Sequence, residues 1–64
     1  MNIWDFEYKN VEITTTKGNN FRGFVFDIMD KDEMDNSEVV LSIETNDGIN
    51  YGFPESDIKE IKEI

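Results

Sequence analysis

Hydrophobic and polar residues alternate in four separate runs along this chain. In the first run, VEITTT, the side chains of Val11, Ile13 and Thr15 share one face. Alternation with a period of two is typical of a β-strand that buries one of its faces. The sequence therefore predicts four strands, at residues 11–16, 21–29, 39–45 and 49–53.

The second run, FRGFVFDIM, is apolar on both faces. Phe21 and Val25 share one face of the predicted strand, whereas Phe24, Phe26 and Ile28 share the other. A strand with two apolar faces has to be covered on both, either inside a tightly curved barrel or at an interface.

Residues that favour turns separate the runs. Gly18 follows the first strand and an Asn-Asp-Gly sequence ending at Gly48 follows the third, and both predict tight turns with positive φ. The segment PESD, residues 54–57, predicts one helical turn because its first residue is proline. Gly23 lies within the second strand, where it predicts a bend, a bulge or a close approach of another backbone.

The two ends of the chain complete the predicted fold. Ile58, Ile61 and Ile64 recur every three residues, a spacing that fits a short helix or a turn followed by a strand. So short a segment does not form a stable terminal helix, and the sequence predicts a final strand at residues 59–63. Residues 1–10 hold three alternating aromatic residues, which predict either a short strand or a plug over one end of a barrel.

The composition agrees with this pattern. The 64 residues include no alanine, one leucine and sixteen valines, isoleucines and threonines, and β-branched residues favour strands. The length is that of a single domain. We therefore expect one all-β domain, a small five-stranded, strongly bent antiparallel barrel over residues 11–64, preceded by the N-terminal segment 1–10.

The chain has no cysteine and no histidine. It therefore has no disulfide, no thiolate metal site, no cysteine nucleophile and no histidine to act as a general base. We expect no catalytic residues, no metal and no cofactor, and the protein is predicted not to be an enzyme.

The net charge of −9 comes from fifteen Asp and Glu residues against six Lys and Arg residues. Such a field repels phosphate and anionic membrane surfaces and attracts basic proteins. We expect a protein partner with a basic surface, no direct nucleic-acid partner and no membrane. Acidity that serves only solubility is the alternative. Neither a leader sequence nor an apolar run of membrane-spanning length is present, which predicts a cytoplasmic location.

The most acidic segment, residues 30–38, is predicted to be an exposed loop. It does not fit the calcium-binding loop of an EF-hand, because Met34 stands at a ligand position and Asp35 at the glycine position. It is either a solvated connection or a mimic of a phosphate backbone that occupies a groove lined by Arg and Lys. The candidate partner-binding residues are Asp30, Asp32, Glu33, Asp35 and Glu38.

The surplus of apolar side chains also predicts self-association into a dimer or ring. The candidate contact residues are Phe24, Phe26, Tyr51 and Phe53. Tyr51 and Phe53 are alternatively core residues or part of a ligand pocket. Asp27 is expected to be partly buried, in an ion pair with a nearby cation or at a sheet edge.

The order of strands, glycines and turns resembles the Sm-like (LSM) family of small β-barrels, including short Sm-like proteins of Gram-positive bacteria and their phages. The residues that carry the resemblance are Val11, Ile13, Gly18, Phe21, Gly23, Val25, Asp30, Met34, Asp35, Tyr51, Phe53, Glu55, Ile58 and Ile61. The resemblance implies an Sm-like or SH3-like barrel and a ring formed through pairing of strands four and five.

The chain departs from the Sm-like pattern at the positions that contact RNA. Asp35 replaces the asparagine that would contact a base, and the Arg/Lys-Gly element is replaced by Asn50, Tyr51, Gly52 and Phe53. Two hypotheses follow. The chain is a non-catalytic, self-associating Sm-like interaction module that binds through an acidic surface. Alternatively, it is a phage or mobile-element inhibitor that mimics nucleic acid and occupies a basic site on a host protein.

Overall fold

The computed structural model describes residues 2–30 and 38–64. In these residues five strands form a single antiparallel sheet in the order β4-β3-β2-β1-β5. The predicted all-β, five-stranded fold class is confirmed, and the helical segments of the described residues are two single 3₁₀ turns. The elements are η1 (Ile3–Phe6), β1 (Asn10–Thr15), β2 (Asn20–Met29), β3 (Val40–Glu44), β4 (Asn50–Pro54), η2 (Glu55–Asp57) and β5 (Ile58–Glu63).

The core lies on the inner face of the bent sheet. The alternation seen in the sequence holds in β1 and β3, because every second residue of each strand is buried. Full burial of one large apolar side chain contributes about 1.5–3 kcal/mol to the free energy of unfolding. The buried hydrophobic residues of the described chain are Ile3, Val11, Ile13, Val25, Ile28, Leu41, Ile43, Phe53, Ile58 and Ile61.

A β-bulge in β2 changes the face that its side chains occupy. Val25 pairs with Ile43 and Asp27 pairs with Ser42, so Phe26 is an additional residue without a partner of its own. The extra residue brings Ile28 back to the core, where it is 7% exposed. The prediction that Ile28 lies on the outer face with Phe24 and Phe26 is therefore wrong.

A second bulge explains the isoleucine spacing near the C-terminus. Thr14 pairs with Glu60 and Thr15 pairs with Ile58, which leaves Lys59 as the additional residue. Without a bulge, residues three apart in a strand face opposite sides. The bulge lets Ile58 and Ile61 both face the core, and the predicted final strand is confirmed.

The N-terminal segment forms a 3₁₀ turn, so the predicted short strand is not found there. The Asn2 side chain accepts a hydrogen bond from the Trp4 backbone N–H at 3.1 Å and caps the turn. Ile3 is 1% exposed and packs in the core. Trp4 instead remains 44% exposed.

The turn glycines lie where the sequence predicts them. Gly18 and Gly48 have φ values of +88° and +81°, which favour glycine over other residues. Gly23 marks a close approach between strands, one of its three predicted roles. A Cβ atom built on Gly23 would lie 2.6 Å from the backbone oxygen of Glu44.

Candidate interaction surface

The sheet has two edge strands, β4 and β5, with no further strand beside them in the described part of the chain. Thr45 and Glu55, at the two ends of the β3–β4 pair, each donate a backbone hydrogen bond of 2.9 Å to the opposite strand. Bonded and non-bonded pairs alternate along an antiparallel ladder. The Glu44–Asn50 and Ser42–Gly52 pairs are therefore non-bonded, and the N–H groups of Asn50 and Gly52 face outward from the β4 edge.

The four candidate self-association residues divide between the two faces of the sheet. Phe24 and Phe26 lie on the outer face, each 38% exposed. Phe53 is 7% exposed and belongs to the core, and Tyr51 is half-buried. Both pack against Phe21, whose ring centroid lies 4.9 Å from that of Tyr51 and 5.1 Å from that of Phe53.

The candidate partner-binding acids also differ in their surroundings. Asp30 is exposed, whereas the half-buried Glu38 accepts hydrogen bonds from the backbone N–H of Ser56 at 2.8 Å and from its hydroxyl at 3.0 Å. Glu38 therefore holds η2 against the start of β3. The other three candidates, Asp32, Glu33 and Asp35, lie outside the described residues.

Glu12 joins three strands on the outer face. Its carboxylate is 3.2 Å from Arg22 Nε on β2 and 3.3 Å from Lys62 Nζ on β5. The hydrogen bond from Arg22, and then that from Lys62, lower the pKa of Glu12 below its usual value.

Asp27 is exposed and lies opposite Ser42 rather than beside Arg22, so its predicted partial burial is wrong.

Tyr8 has an unusual backbone conformation. Residues 6–9 form a turn closed by a hydrogen bond of 3.2 Å from Lys9 N–H to the Phe6 carbonyl. Glu7 has φ −59° and ψ 132°, and Tyr8 has φ +62°. These values match a type II turn, in which the third position normally holds glycine or asparagine. Tyr8 is fixed there by a 2.9 Å hydrogen bond from its N–H to the Val25 carbonyl.

The outer face of β2 carries exposed aromatic rings beside carboxylates. The rings of Tyr8 and Phe24 stack with centroids 6.5 Å apart and an interplanar angle of 30°. Phe24 pairs with Glu44 across the sheet, and the bulge places Phe26 next to Asp27, with both residues exposed. We call these five residues the aromatic–acidic patch. The alternation in the sequence does not predict that Tyr8 and Glu44 lie on either side of Phe24, because it is strand pairing that brings these residues together.

A shallow cleft lies between the β1–β2 turn, β4 and η2. Its volume is about 240 Å³, and it is lined by Thr16, Lys17, Asn19 and Asp57 with Phe21 and Phe53 below. In residues 2–30 and 38–64, no three Asp or Glu side chains are grouped closely enough to hold a metal ion. The helical segments of these same residues are single turns, far shorter than a membrane-spanning helix.

Comparisons with known proteins define this chain by its fold. No family model and no curated protein sequence matches it. A chain in the solved structure described as "Structural basis of the Dcp1:Dcp2 mRNA decapping complex activation by Edc3 and Scd6" is similar, with a TM-score of 0.74 and 20% identity. The similarity covers 100% of this chain and 60% of the other, so the present chain spans about three-fifths of that protein. It establishes a shared small β-fold.

Proposed function

We propose that this chain is a non-catalytic, Sm-like protein-interaction module that binds a basic protein through its acidic surface. The observation that carries the proposal is the uncompensated charge of that surface. Of the fifteen carboxylates, Glu12 and Glu63 lie in ion pairs within the described residues. These pairs also occupy Lys9, Arg22 and Lys62, half of the six cations of the chain. The electrostatic field of the remaining carboxylates favours a cationic partner.

The fold supports an interaction role. The succession of five strands along the chain, with a 3₁₀ turn before the last, agrees with the order of elements on which the Sm-like resemblance of the sequence rests. The similar solved structure concerns an assembly of several proteins, and a fold that serves in protein assemblies is suited to the same use here. The non-catalytic part of the proposal rests on the absence of cysteine and histidine from the sequence.

Self-association is part of the proposal. The edges of β4 and β5 present backbone groups that are ready to pair with another strand. β4 carries no charged residue, whereas β5 alternates lysine and glutamate around two isoleucines. Pairing β4 of one copy with β5 of the next avoids placing like charges opposite each other. The exposed Phe24 and Phe26 are the alternative contact between copies, but Asp27 and Glu44 beside them make that contact less favourable than pairing of the strand edges.

The binding proposal is tested by immobilising the chain and recovering its partner at two salt concentrations. We expect a basic protein to bind at about 0.05 M salt and to be released at about 0.5 M, because the Debye length shortens from more than 10 Å to below 8 Å. Retention at high salt, or recovery of an acidic partner, contradicts the proposal.

A charge-matched pair of variants then separates the acidic segment from the overall charge. In the first variant, Asp30, Asp32, Glu33 and Asp35 become Asn or Gln. In the control, Asp5, Asp47, Glu55 and Glu60 are replaced in the same way. If the segment binds the partner, the first variant loses binding with an unchanged melting midpoint and the control retains it. Equal binding by both variants means that the segment is only a solvated connection.

A second candidate function, an inhibitor that mimics nucleic acid, is favoured by the same uncompensated carboxylates. It makes a different prediction about the recovered partner, namely that duplex DNA or RNA competes for the occupied site. An interaction module at a site unrelated to nucleic acid is displaced by duplex DNA or RNA no better than by another polyanion such as heparin. The competition experiment therefore distinguishes the two functions once a partner is in hand.

A further inference from the structure

The aromatic–acidic patch combines two kinds of group that recognise the same ligand. Tyr8 is 65% exposed and stacks on Phe24, which is itself 38% exposed. Glu44 lies opposite Phe24 across the sheet, and Asp27 follows Phe26 in the bulge. Aromatic faces attract cations, and guanidinium groups in particular stack on them. Carboxylates accept paired hydrogen bonds from the same guanidinium group.

No cation among the described residues occupies this patch. Lys9, next to Tyr8 in sequence, lies 3.8 Å from Glu63 on β5. Arg22, two residues before Phe24 on the same face, is bound to Glu12. The carboxylates of Glu44 and Asp27 lie in no ion pair within residues 2–30 and 38–64.

The Tyr8 backbone adds an independent observation. A bulky residue is strained at φ +62°, where glycine would not be. Strained backbone conformations of this kind cluster at functional sites. The exposed ring contacts Phe24 but is not buried in the core. The conformation is therefore not explained by core packing, whereas it does hold an aromatic face at the edge of the patch.

We propose that the aromatic–acidic patch binds an arginine side chain carried by a segment of a partner protein, the guanidinium stacking on Tyr8 and Phe24 and pairing with Glu44. This inference rests on the proposed function, since it names the point at which a basic partner is anchored. The charge of the patch favours this occupant over a second copy of the chain. A copy docking through the same patch would bring carboxylates against carboxylates, which is unfavourable.

The test is an NMR titration of the ¹⁵N-labelled chain with a short blocked Gly/Ser peptide that carries one arginine. A second peptide carries citrulline, which has the shape of arginine without its charge. We expect amide shifts at Tyr8, Phe24 and Glu44 with the arginine peptide and none with the citrulline peptide. Shifts confined to residues 30–38, or equal shifts with both peptides, overturn the inference.

Variants of single residues test the proposed contacts. Tyr8→Asn removes the ring but suits the turn, and Glu44→Gln removes the charge; each is expected to weaken peptide binding about threefold or more. Tyr8→Phe retains the aromatic face and is expected to bind as the parent does. Glu60→Gln makes the same change in net charge on β5 and is expected to alter binding less than twofold. Unchanged binding by Tyr8→Asn and Glu44→Gln contradicts the inference.

Three further outcomes separate this inference from the proposed function and from self-association. If Tyr8→Asn recovers the basic partner as well as the parent does, the patch is not the anchor, although the interaction module stands. If patch amides shift on dilution of the chain without peptide, the patch is a contact between copies and the inference fails. If the parent chain recovers no basic partner, the proposed function is contradicted. The inference is then decided by the peptide titration alone.

Discussion

Gly23 shows how closely two strands approach in this small sheet. Alanine at this position would place its Cβ 2.6 Å from the Glu44 carbonyl oxygen and 3.2 Å from Ile43 Cδ1. Because one of these contacts is with backbone, the two strands would have to move apart. We expect Gly23→Ala to lower the free energy of unfolding by about 1–3 kcal/mol.

Gly52 provides the matched control for this prediction. A Cβ atom there lies 3.5 Å from Val40 Cγ1 and 3.7 Å from Ser42 Oγ, which are ordinary contacts. Gly52→Ala should leave stability unchanged or slightly raised, since alanine restricts the unfolded chain. Urea denaturation of both variants measures the difference, and equal midpoints would contradict the role given to Gly23.

Tyr8 offers a prediction of the opposite sign. Tyr8→Gly removes the cost of placing a side chain at positive φ, about 1 kcal/mol, and loses one partly exposed ring contact with Phe24. We expect its melting midpoint to equal or exceed that of the parent. Glu7→Gly is the control, because Glu7 has a negative φ and gains nothing from glycine. A midpoint well below the parent's in Tyr8→Gly shows that the ring stabilises the fold.

At the scale of elements, residue pattern predicts strands more successfully than it predicts which face a residue occupies. The β-branched runs and turn glycines are local signals, and they place all five strands within one or two residues of their observed ends. Ile28 is misplaced because the extra residue, Phe26, is set by pairing with β3. In both bulged strands, apolar residues three apart, Val25 with Ile28 and Ile58 with Ile61, face the core together.

The candidate site is predicted less well for the same reason. Phe24 and Phe26 can be selected from the sequence because a strand with two apolar faces is visible in it. Phe53 carries the same type of signal but faces the core. The proximity of Tyr8 and Glu44 to Phe24 depends on the turn before β1 and on the register between β2 and β3, and neither is readable from one local segment.

The three-strand contact of Glu12 gives the sheet a pH dependence. Its pKa is lowered in the folded chain, chiefly by Arg22, so its contribution is present above the ordinary glutamate pKa of about 4.3 and is lost as pH falls through the lowered value. Glu12→Gln should therefore lower the melting midpoint near pH 7 and have a smaller effect near pH 3. Thermal unfolding at both pH values measures this. The control is Glu60→Gln, and a Glu12→Gln effect that persists undiminished at low pH would exclude the ionic origin.

At the scale of the whole molecule, the open β4 edge predicts assembly. Light scattering is expected to give a mass above the 7.5 kDa of a single chain. Asn50→Pro removes an outward N–H without removing a bond of the β3–β4 ladder, and proline is tolerated at strand edges. We expect this variant to shift toward the single-chain mass, while Asn50→Ala assembles like the parent. A parent chain that stays at 7.5 kDa at high concentration contradicts self-association.

The whole-molecule charge predicts no useful affinity for free nucleic acid. Three of the six cations are held in ion pairs with Glu12 and Glu63, and binding to phosphates requires clustered free cations. A gel-shift titration with single-stranded RNA at physiological salt should show no complex at micromolar protein. A saturating shift would contradict this prediction.

The pairing of β1 with both β2 and β5 has a consequence for how the protein is made. Val11, near one end of the chain, pairs with Glu63, near the other. During synthesis, β1 has β2 beside it long before β5 leaves the ribosome, so its second edge and the core positions of Ile58 and Ile61 stay unfilled until β5 has emerged. Contacts between distant residues also slow folding, because the closure of a long loop precedes any gain from it. The sheet is therefore expected to reach its native arrangement only after β5 has emerged, with the open edge of β1 exposed to chaperones in the interval.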